Sequence, residues 1–234
     1  SQLSRHEEAA RAFREHQEAA SGVFAYGCGF YKLVWLFGIG AFLGDIIETI
    51  YCHATAGVWM SRSSVVWGPF SIVWGGALAL ATWMLYRYKD RPASFLFAVG
   101  TFLGGAYEYL CSVASEKVFG TVFWDYSHLP FNLGGRINLL YCFFWGFAAV
   151  AWFKVFYPRF SAWIECIPSR IGKPVTWVIL VFMICNMVMS GGALLRYNTR
   201  TLGMPATSGW EVYMDAHYGD DVIARIYPNA IRVD

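Results

Sequence analysis

Charged residues are scarce in this sequence. Only 15% of its 234 residues are charged, while 57% are hydrophobic, and a soluble domain usually carries about a quarter charged residues. The net charge of +2 is too small to indicate a nucleic-acid partner. A chain this apolar is therefore expected to be a membrane protein rather than a soluble domain.

Several motifs that would assign a chemistry are missing. The sequence has no Walker A motif, so the chain itself is not an ordinary P-loop ATPase. None of its six cysteines forms a C-x-x-C pair, and a disulfide between Cys52 and Cys111 stays open because the cysteine pattern does not reveal the redox compartment. The first 20 residues are polar, so we expect no cleavable signal peptide.

Five apolar segments are present, each close to the roughly 20 residues that cross about 30 Å of hydrocarbon. They cover residues 31–52, 67–86, 93–114, 137–157 and 174–195. They predict an all-α fold, a polytopic membrane helix bundle over residues 31–195. Residues 1–30 are predicted to hold a polar N-terminal helix, and residues 196–234 a polar C-terminal tail.

The basic residues of the short loops predict the orientation. The loop between the second and third segments holds Arg87, Lys89 and Arg91, and the loop between the fourth and fifth holds four more basic residues. The other two loops hold fewer. Because cytoplasmic loops carry an excess of Lys and Arg, we expect a multi-pass protein of the inner (cytoplasmic) membrane with its N-terminus in the cytoplasm.

The first and third segments contain the same pattern. Residues 40–49 align without a gap with residues 100–109, and they share both glycines, a Phe-Leu pair and a glutamate. A Trp-Gly pair follows in each next segment, at Trp74 and Trp145. This pattern predicts two parallel helix-hairpin repeats related by an axis along the membrane normal. The glycines suit close helix packing.

The shared glutamates, Glu48 and Glu108, lie in the predicted outer third of the membrane, with Asp45 one turn before Glu48. A charged residue near the centre of a membrane helix costs about 2.5–3.5 kcal/mol on insertion scales. Such residues usually face the bundle interior and pair with another group. We therefore expect both glutamates to have cationic or hydrogen-bonding partners.

The predicted outer loops supply candidate partners. Arginine can hold a carboxylate or a phosphate with two hydrogen bonds. The candidate ligand-binding residues are Glu48, Arg62, Glu108, Tyr109, Glu116, Trp124, Asp125, Tyr126, Asn132 and Arg136. They could form an Arg–Glu network that locks the helices, or a cavity for a small polar, anionic or lipid-headgroup ligand. His53 and His128 lack metal-ligand spacing, so neither a metal nor a cofactor is expected.

The second outer loop and its flanking helices carry an unusual string of residues. The string is Glu108-Tyr109, Glu116-Lys117-Val118-Phe119, Trp124-Asp125-Tyr126-Ser127, Pro130-Phe131-Asn132, Gly135-Arg136-Ile137 and Trp145-Gly146. It resembles bacterial membrane proteins called putative ABC-transporter type IV, or putative ABC transporter permeases. The resemblance covers residues 31–230, although Ser61-Arg62-Ser63 stands where family members tend to read Asn-Arg-Gly.

The resemblance implies a transport role and a separate ATPase or other cytoplasmic partner, but no substrate. One hypothesis is therefore a permease-like protein in contact with membrane lipids and a small polar or anionic ligand. A second is an intramembrane enzyme acting on a lipid or lipid-linked substrate, with the acidic residues as acid and base. A third is a non-catalytic scaffold or sensor. Catalysis stays open, and the sequence favours a non-enzymatic role.

Overall fold

Helices make up most of the chain in the computed structural model, which describes residue 8 and residues 22–233. The predicted N-terminal helix falls mostly on residues outside these. The helices are α1 (Phe30–Ala56), α2 (Ile72–Leu85), α3 (Ala93–Phe119), α4 (Leu139–Ala151), α5 (Tyr157–Glu165), α6 (Ser169–Thr201), α7 (Gly209–His217) and α8 (Asp220–Ile226). A 3₁₀ turn, Tyr86–Tyr88, follows α2, and a π-helical turn, Trp152–Phe156, joins α4 to α5.

Among the residues that the structure describes, four helical segments are long and apolar enough to cross a membrane. They are α1, α3, the continuous rod Leu139–Glu165 that contains α4 and α5, and α6. The shortest have 27 residues, which is about 40 Å at roughly 1.5 Å per residue and exceeds the hydrocarbon thickness. The predicted all-α membrane bundle is confirmed at this level.

The second predicted span, residues 67–86, is shorter in the structure than in the prediction. Helix α2 begins only at Ile72 and has 14 residues, about 21 Å of helix. The residues before it form a turn in which Gly68 has a φ of +81°, and the side chain of Ser71 accepts a hydrogen bond from the Trp74 N–H at the helix start. The fifth crossing therefore stays a prediction.

Two tight helix hairpins, α1–α2 and α3–α4, form the centre of the protein. A Cβ added at Gly44 of α1 would overlap the Cβ of Trp74 in α2, and one added at Gly104 of α3 would overlap the Cβ of Trp145 in α4. Each tryptophan thus packs directly on the backbone of the neighbouring helix. Only glycine allows the two helices to approach this closely.

One end of the bundle is closed by residues 196–233. Strand β4 (Ile231–Arg232) pairs antiparallel with β1 (Thr121–Val122), which directly follows α3. Arg196 of α6 donates from Nε and Nη2 to the two carboxylate oxygens of Asp215 in α7, at 2.7 and 2.8 Å. The segment predicted as a polar tail is folded onto the loops that follow α1 and α3. We call the part of this segment beyond α6, residues 203–233, the C-terminal cap.

The opposite end of the bundle contains a fully buried lysine. Lys32, near the start of α1, is 0% exposed, and its Nζ lies 2.7 Å from Glu165 Oε1 and 2.5 Å from Ser161 Oγ. Both partners belong to α5. The ion pair therefore fixes the start of α1 against α5, where a buried charge needs a partner to be tolerated.

Candidate functional site

Glu48 is held by an arginine and a tryptophan at the end of the bundle nearer the C-terminal cap. Its Oε1 accepts hydrogen bonds from Arg62 Nε at 3.0 Å and Nη2 at 2.5 Å. Its Oε2 accepts a third from Trp74 Nε1 at 3.1 Å. Arg62 comes from the loop between α1 and α2. This carboxylate is thus neutralised by a cation and fully hydrogen-bonded.

Glu108 occupies the equivalent position in the second hairpin but has no cationic partner. Its Oε2 accepts a hydrogen bond from Trp145 Nε1 at 3.0 Å, and its Oε1 accepts one from the Tyr126 hydroxyl at 2.7 Å. The residue is 7% exposed. Within residues 22–233, no salt bridge to Glu108 is present. Its charge is therefore balanced by neutral donors alone.

The two glutamates converge in the interior between the hairpins. The Trp74 and Trp145 rings, which donate to Glu48 and Glu108 respectively, have centroids 5.2 Å apart. The Tyr107 hydroxyl of α3 donates to the Val73 carbonyl of α2 at 2.7 Å and holds the hairpins together. Each glutamate lies one turn beyond the glycine that packs on its tryptophan. This spacing places both carboxylates on inward helix faces.

Asp45 lies one turn before Glu48 and is 4% exposed. Its Oδ1 is buried and accepts no hydrogen bond from any residue that the structure describes. Most buried side-chain oxygens have a hydrogen-bond partner, so Asp45 is exceptional.

Arg136 belongs to a second group of predicted site residues and does not reach either glutamate of the first group. It donates to Ser112 Oγ at 3.0 Å and to a carboxylate oxygen of Glu116, and its guanidinium lies 5.9 Å from the Tyr109 ring centroid. Trp124 Nε1 donates to the Arg136 carbonyl at 2.9 Å. Glu116 lies eight residues beyond Glu108 on α3, about 12 Å along the helix. Arg136 therefore pairs with Glu116, whereas Arg62 pairs with Glu48.

The hairpin that carries Arg136 is built from β2 (Asn132–Leu133) and β3 (Ile137–Asn138). Asn132 shapes it by donating to the Leu129 carbonyl at 2.7 Å and accepting from the Gly135 N–H at 3.0 Å. Gly135 has a φ of +68°, and an added Cβ would lie 2.5 Å from Asp125 Oδ1. The predicted site residue Asn132 therefore shapes the loop.

Asp125 is occupied by its own loop. It accepts hydrogen bonds from the Ser127 N–H at 2.9 Å and the Ser127 hydroxyl at 2.8 Å, and these bonds lower the pKa of the Asp125 carboxyl. The neighbouring Tyr126 has its pKa raised by burial and by the charge of Glu108. The phenol therefore keeps its proton and stays a donor to Glu108.

The sequence pattern did not place three of the residues that complete these groups. The repeated Trp-Gly pairs mark Trp74 and Trp145 in the sequence, but the pattern does not predict that their indole N–H groups bind the glutamates. Nothing in the sequence marks Ser112 as a partner of Arg136.

In the described part of the chain, no group of three His, Cys, Asp or Glu residues is arranged to hold a metal ion. Cys52 and Cys111 are both free thiols.

An apolar groove of about 520 Å³ lies away from the charged groups, between α1, α5 and α6. Its lining includes Trp35, Ile39, Phe42, Phe70, Trp163 and Phe182. A groove with such a lining on a membrane-spanning surface suits hydrocarbon chains rather than a polar ligand.

Comparison with known proteins identifies the family. The family model described as putative ABC-transporter type IV matches residues 35–191, which include both hairpins, both glutamates and the Arg136 hairpin. No curated protein and no solved structure matches the chain. Since the family match covers well over half of the sequence and four helices can span a membrane, the chain belongs to the putative ABC-transporter type IV family and is a transport-associated, multi-pass membrane protein.

Proposed function

We propose that the protein is a permease-like component of a transport system and that it binds a small polar ligand at the Glu48–Glu108 pair. One observation carries the proposal. Two carboxylates from equivalent positions of two hairpins meet inside a membrane bundle, each held by the indole of an equivalent tryptophan. Ionisable residues at such depth are costly, and they mark substrate or ion pathways.

The surroundings of the pair are consistent with access from one side of the membrane. The side chains of Glu48 and Arg62 are 26% and 15% exposed, whereas Glu108 is nearly buried. A ligand would thus enter past Arg62 and reach Glu108, which has no cation of its own. The Arg136 group lies farther out and would form the rim of this entrance.

The wider arrangement that we propose follows the sequence pattern. The α1–α2 and α3–α4 hairpins are parallel repeats, with α2 as the short fifth crossing. The basic turn at Arg87, Lys89 and Arg91 faces the cytoplasm of a cell whose inner membrane holds the protein. A separate ATPase would dock on that side, and the glutamate pair would open to the outside.

A second candidate function is a non-catalytic scaffold. Both arginines of the site are already paired, Arg62 with Glu48 and Arg136 with Glu116, as expected of a network that only locks helices. An intramembrane enzyme has less support. It would need an arginine free to hold a phosphate next to an acid, and Arg136 is engaged elsewhere.

Substitution of the site residues separates these candidates. The protein is purified in native-membrane particles, and the small molecules that co-purify with it are identified by mass spectrometry. We expect wild type to retain a ligand that Glu108→Gln loses while staying folded. Arg136→Ala, at the rim, should retain less of the ligand than wild type. Glu211→Gln, the same chemical change in the C-terminal cap, serves as control. If Glu108→Gln and Arg136→Ala both unfold instead, the network is structural.

A further inference from the structure

The site has more acidic than basic groups. Of the three carboxylates Asp45, Glu48 and Glu108, only Glu48 forms a salt bridge among the described residues, with the Arg62 guanidinium. Arg136 is engaged by Glu116 and Ser112. Two carboxylates are therefore left without a cationic partner in the described structure. An anionic ligand would add to this excess of negative charge rather than relieve it.

Asp45 is the carboxylate of this group with an unsatisfied oxygen atom. It is 4% exposed, and its Oδ1 is buried without a hydrogen-bond donor among residues 22–233. A buried carboxyl group without a partner must take up a proton or gain a donor from a ligand. The residue lies near the middle of α1, one turn before Glu48. A missing donor with positive charge would complete it.

Aromatic rings line the space around the carboxylates. The indole N–H groups of Trp74 and Trp145 are used by the glutamates, and the two rings pack against each other with centroids 5.2 Å apart. Tyr126, which donates to Glu108, stacks on Tyr141 with centroids 5.0 Å apart. Aromatic rings beside carboxylates are surroundings that stabilise an ammonium group.

We propose that the ligand of this site is a small organic cation with an ammonium group that carries N–H donors, held by the carboxylates of Asp45 and Glu108 next to the Trp74 and Trp145 rings. The inference rests on the proposed function and narrows its ligand class. It also replaces the anionic ligand class that the sequence left open, because the structure leaves neither Arg62 nor Arg136 free.

The test uses the full chain in lipid nanodiscs with three probes: choline chloride, methylammonium chloride and sodium phosphate. Binding is measured by isothermal titration calorimetry at constant ionic strength. We expect methylammonium, which has N–H groups to donate to Asp45, to bind wild type saturably, choline, which has none, to bind more weakly, and phosphate not to bind. Asp45→Asn and Glu108→Gln should each weaken the cation's binding about tenfold or more, the loss of one charged contact. Glu211→Gln should bind like wild type.

Several outcomes would overturn the inference. Phosphate could bind while the cations do not, or neither cation could bind. Cation binding could also persist unchanged in both Asp45→Asn and Glu108→Gln. If a variant does not fold, the wild-type probe series decides alone. The proposed function fails separately, if Glu108→Gln keeps the co-purified ligand that wild type carries. An anion identified there would disprove the cation class while leaving the site in place.

Discussion

At the scale of single residues, the protein treats its buried charges in two ways. Lys32, at 0% exposure, and Arg196, at 3%, each lie against a carboxylate from another helix. Asp45 is buried to a similar degree and has an unsatisfied oxygen. Paired buried charges are structural by default, because removing one partner strands the other. The unpaired one is where a ligand would contribute most.

Asp215 provides a prediction about pH. Its hydrogen bonds from Arg196 and Arg200 lower the pKa of its carboxyl to about 2. A carboxyl whose pKa is lower in the folded than in the unfolded state stabilises the fold above the unfolded value, about 3.9. We expect this contribution to be fully present above about pH 5 and to be lost as the pH falls towards 2.

The thermal unfolding temperature of the detergent-purified protein is measured between pH 6 and pH 2 for wild type and for Asp215→Asn. The difference between the two proteins should shrink as the pH falls. Asp221→Asn, a neighbouring substitution in the cap at a residue with no salt bridge among the described residues, should not change the profile of wild type. A difference that stays constant down to pH 2 would show that the Arg196–Asp215 pair does not act through this titration.

At the scale of helices, glycine and tryptophan determine how each hairpin closes. Gly44 and Gly104 lie under Trp74 and Trp145, and the same two tryptophans donate to the glutamates one turn further on. Packing and charge placement are therefore coupled. A helix that moved away from its partner would also pull an indole N–H off a buried carboxylate, which is costly in a low-dielectric interior.

Gly44→Ala and Gly104→Ala test this coupling. Each added methyl group would overlap a tryptophan Cβ, an atom fixed close to the backbone. Overpacking of this kind typically costs about 1–3 kcal/mol. We expect both variants to unfold at lower temperature by similar amounts, because the two hairpins have equivalent contacts.

The matched control is Gly209→Ala. Gly209 begins α7, has no positive φ, and has nothing within 4 Å of an added Cβ. Its substitution should leave the unfolding temperature near that of wild type. A large loss for Gly104→Ala with none for Gly44→Ala would argue against equivalent hairpins, and hence against the proposed repeat.

At the scale of the whole molecule, the two ends of the bundle differ in chemistry. One end carries the basic turn at Arg87, Lys89 and Arg91 and the Lys32–Glu165 pair. The other carries the carboxylates, the Arg136 hairpin and the C-terminal cap. The tyrosine hydroxyl of Tyr227 in the cap donates to the Ser64 carbonyl in the first loop at 2.9 Å. The cap therefore restrains the loop that supplies Arg62.

This asymmetry predicts how the protein lies in the membrane. In a bacterial host, alkaline phosphatase fused after Lys89 should be inactive, and the same enzyme fused after Gly203 should be active. The enzyme needs disulfides that form in the oxidising periplasm and not in the cytoplasm. Activities are compared at equal amounts of fusion protein. If the two fusions were equally active, the C-terminal ends of α2 and α6 would lie on the same side of the membrane, contrary to our proposal.

Much of the overall architecture could be predicted from the sequence. Long apolar runs with few charges can only be membrane helices, because every backbone polar group in lipid must be satisfied within the helix. The predicted family is confirmed, and so is the all-α membrane bundle. The five-span count stays a prediction, because the turn that Gly68-Pro69 marks within the apolar run shortens α2 to 14 residues.

The repeated Gly–Glu and Trp-Gly motifs, read from the sequence alone, determined which residues of the two hairpins align and predicted that the two glutamates lie at one depth. Only the tertiary structure decided their partners. Arg136 pairs with Glu116 rather than with Glu108. The sequence pattern cannot reveal this choice, because a hydrogen bond depends on differences of a few tenths of an ångström between side chains that are far apart in the sequence. For the same reason, only the folded chain reveals that the indoles hold both carboxylates and that Asp45 is left without a donor.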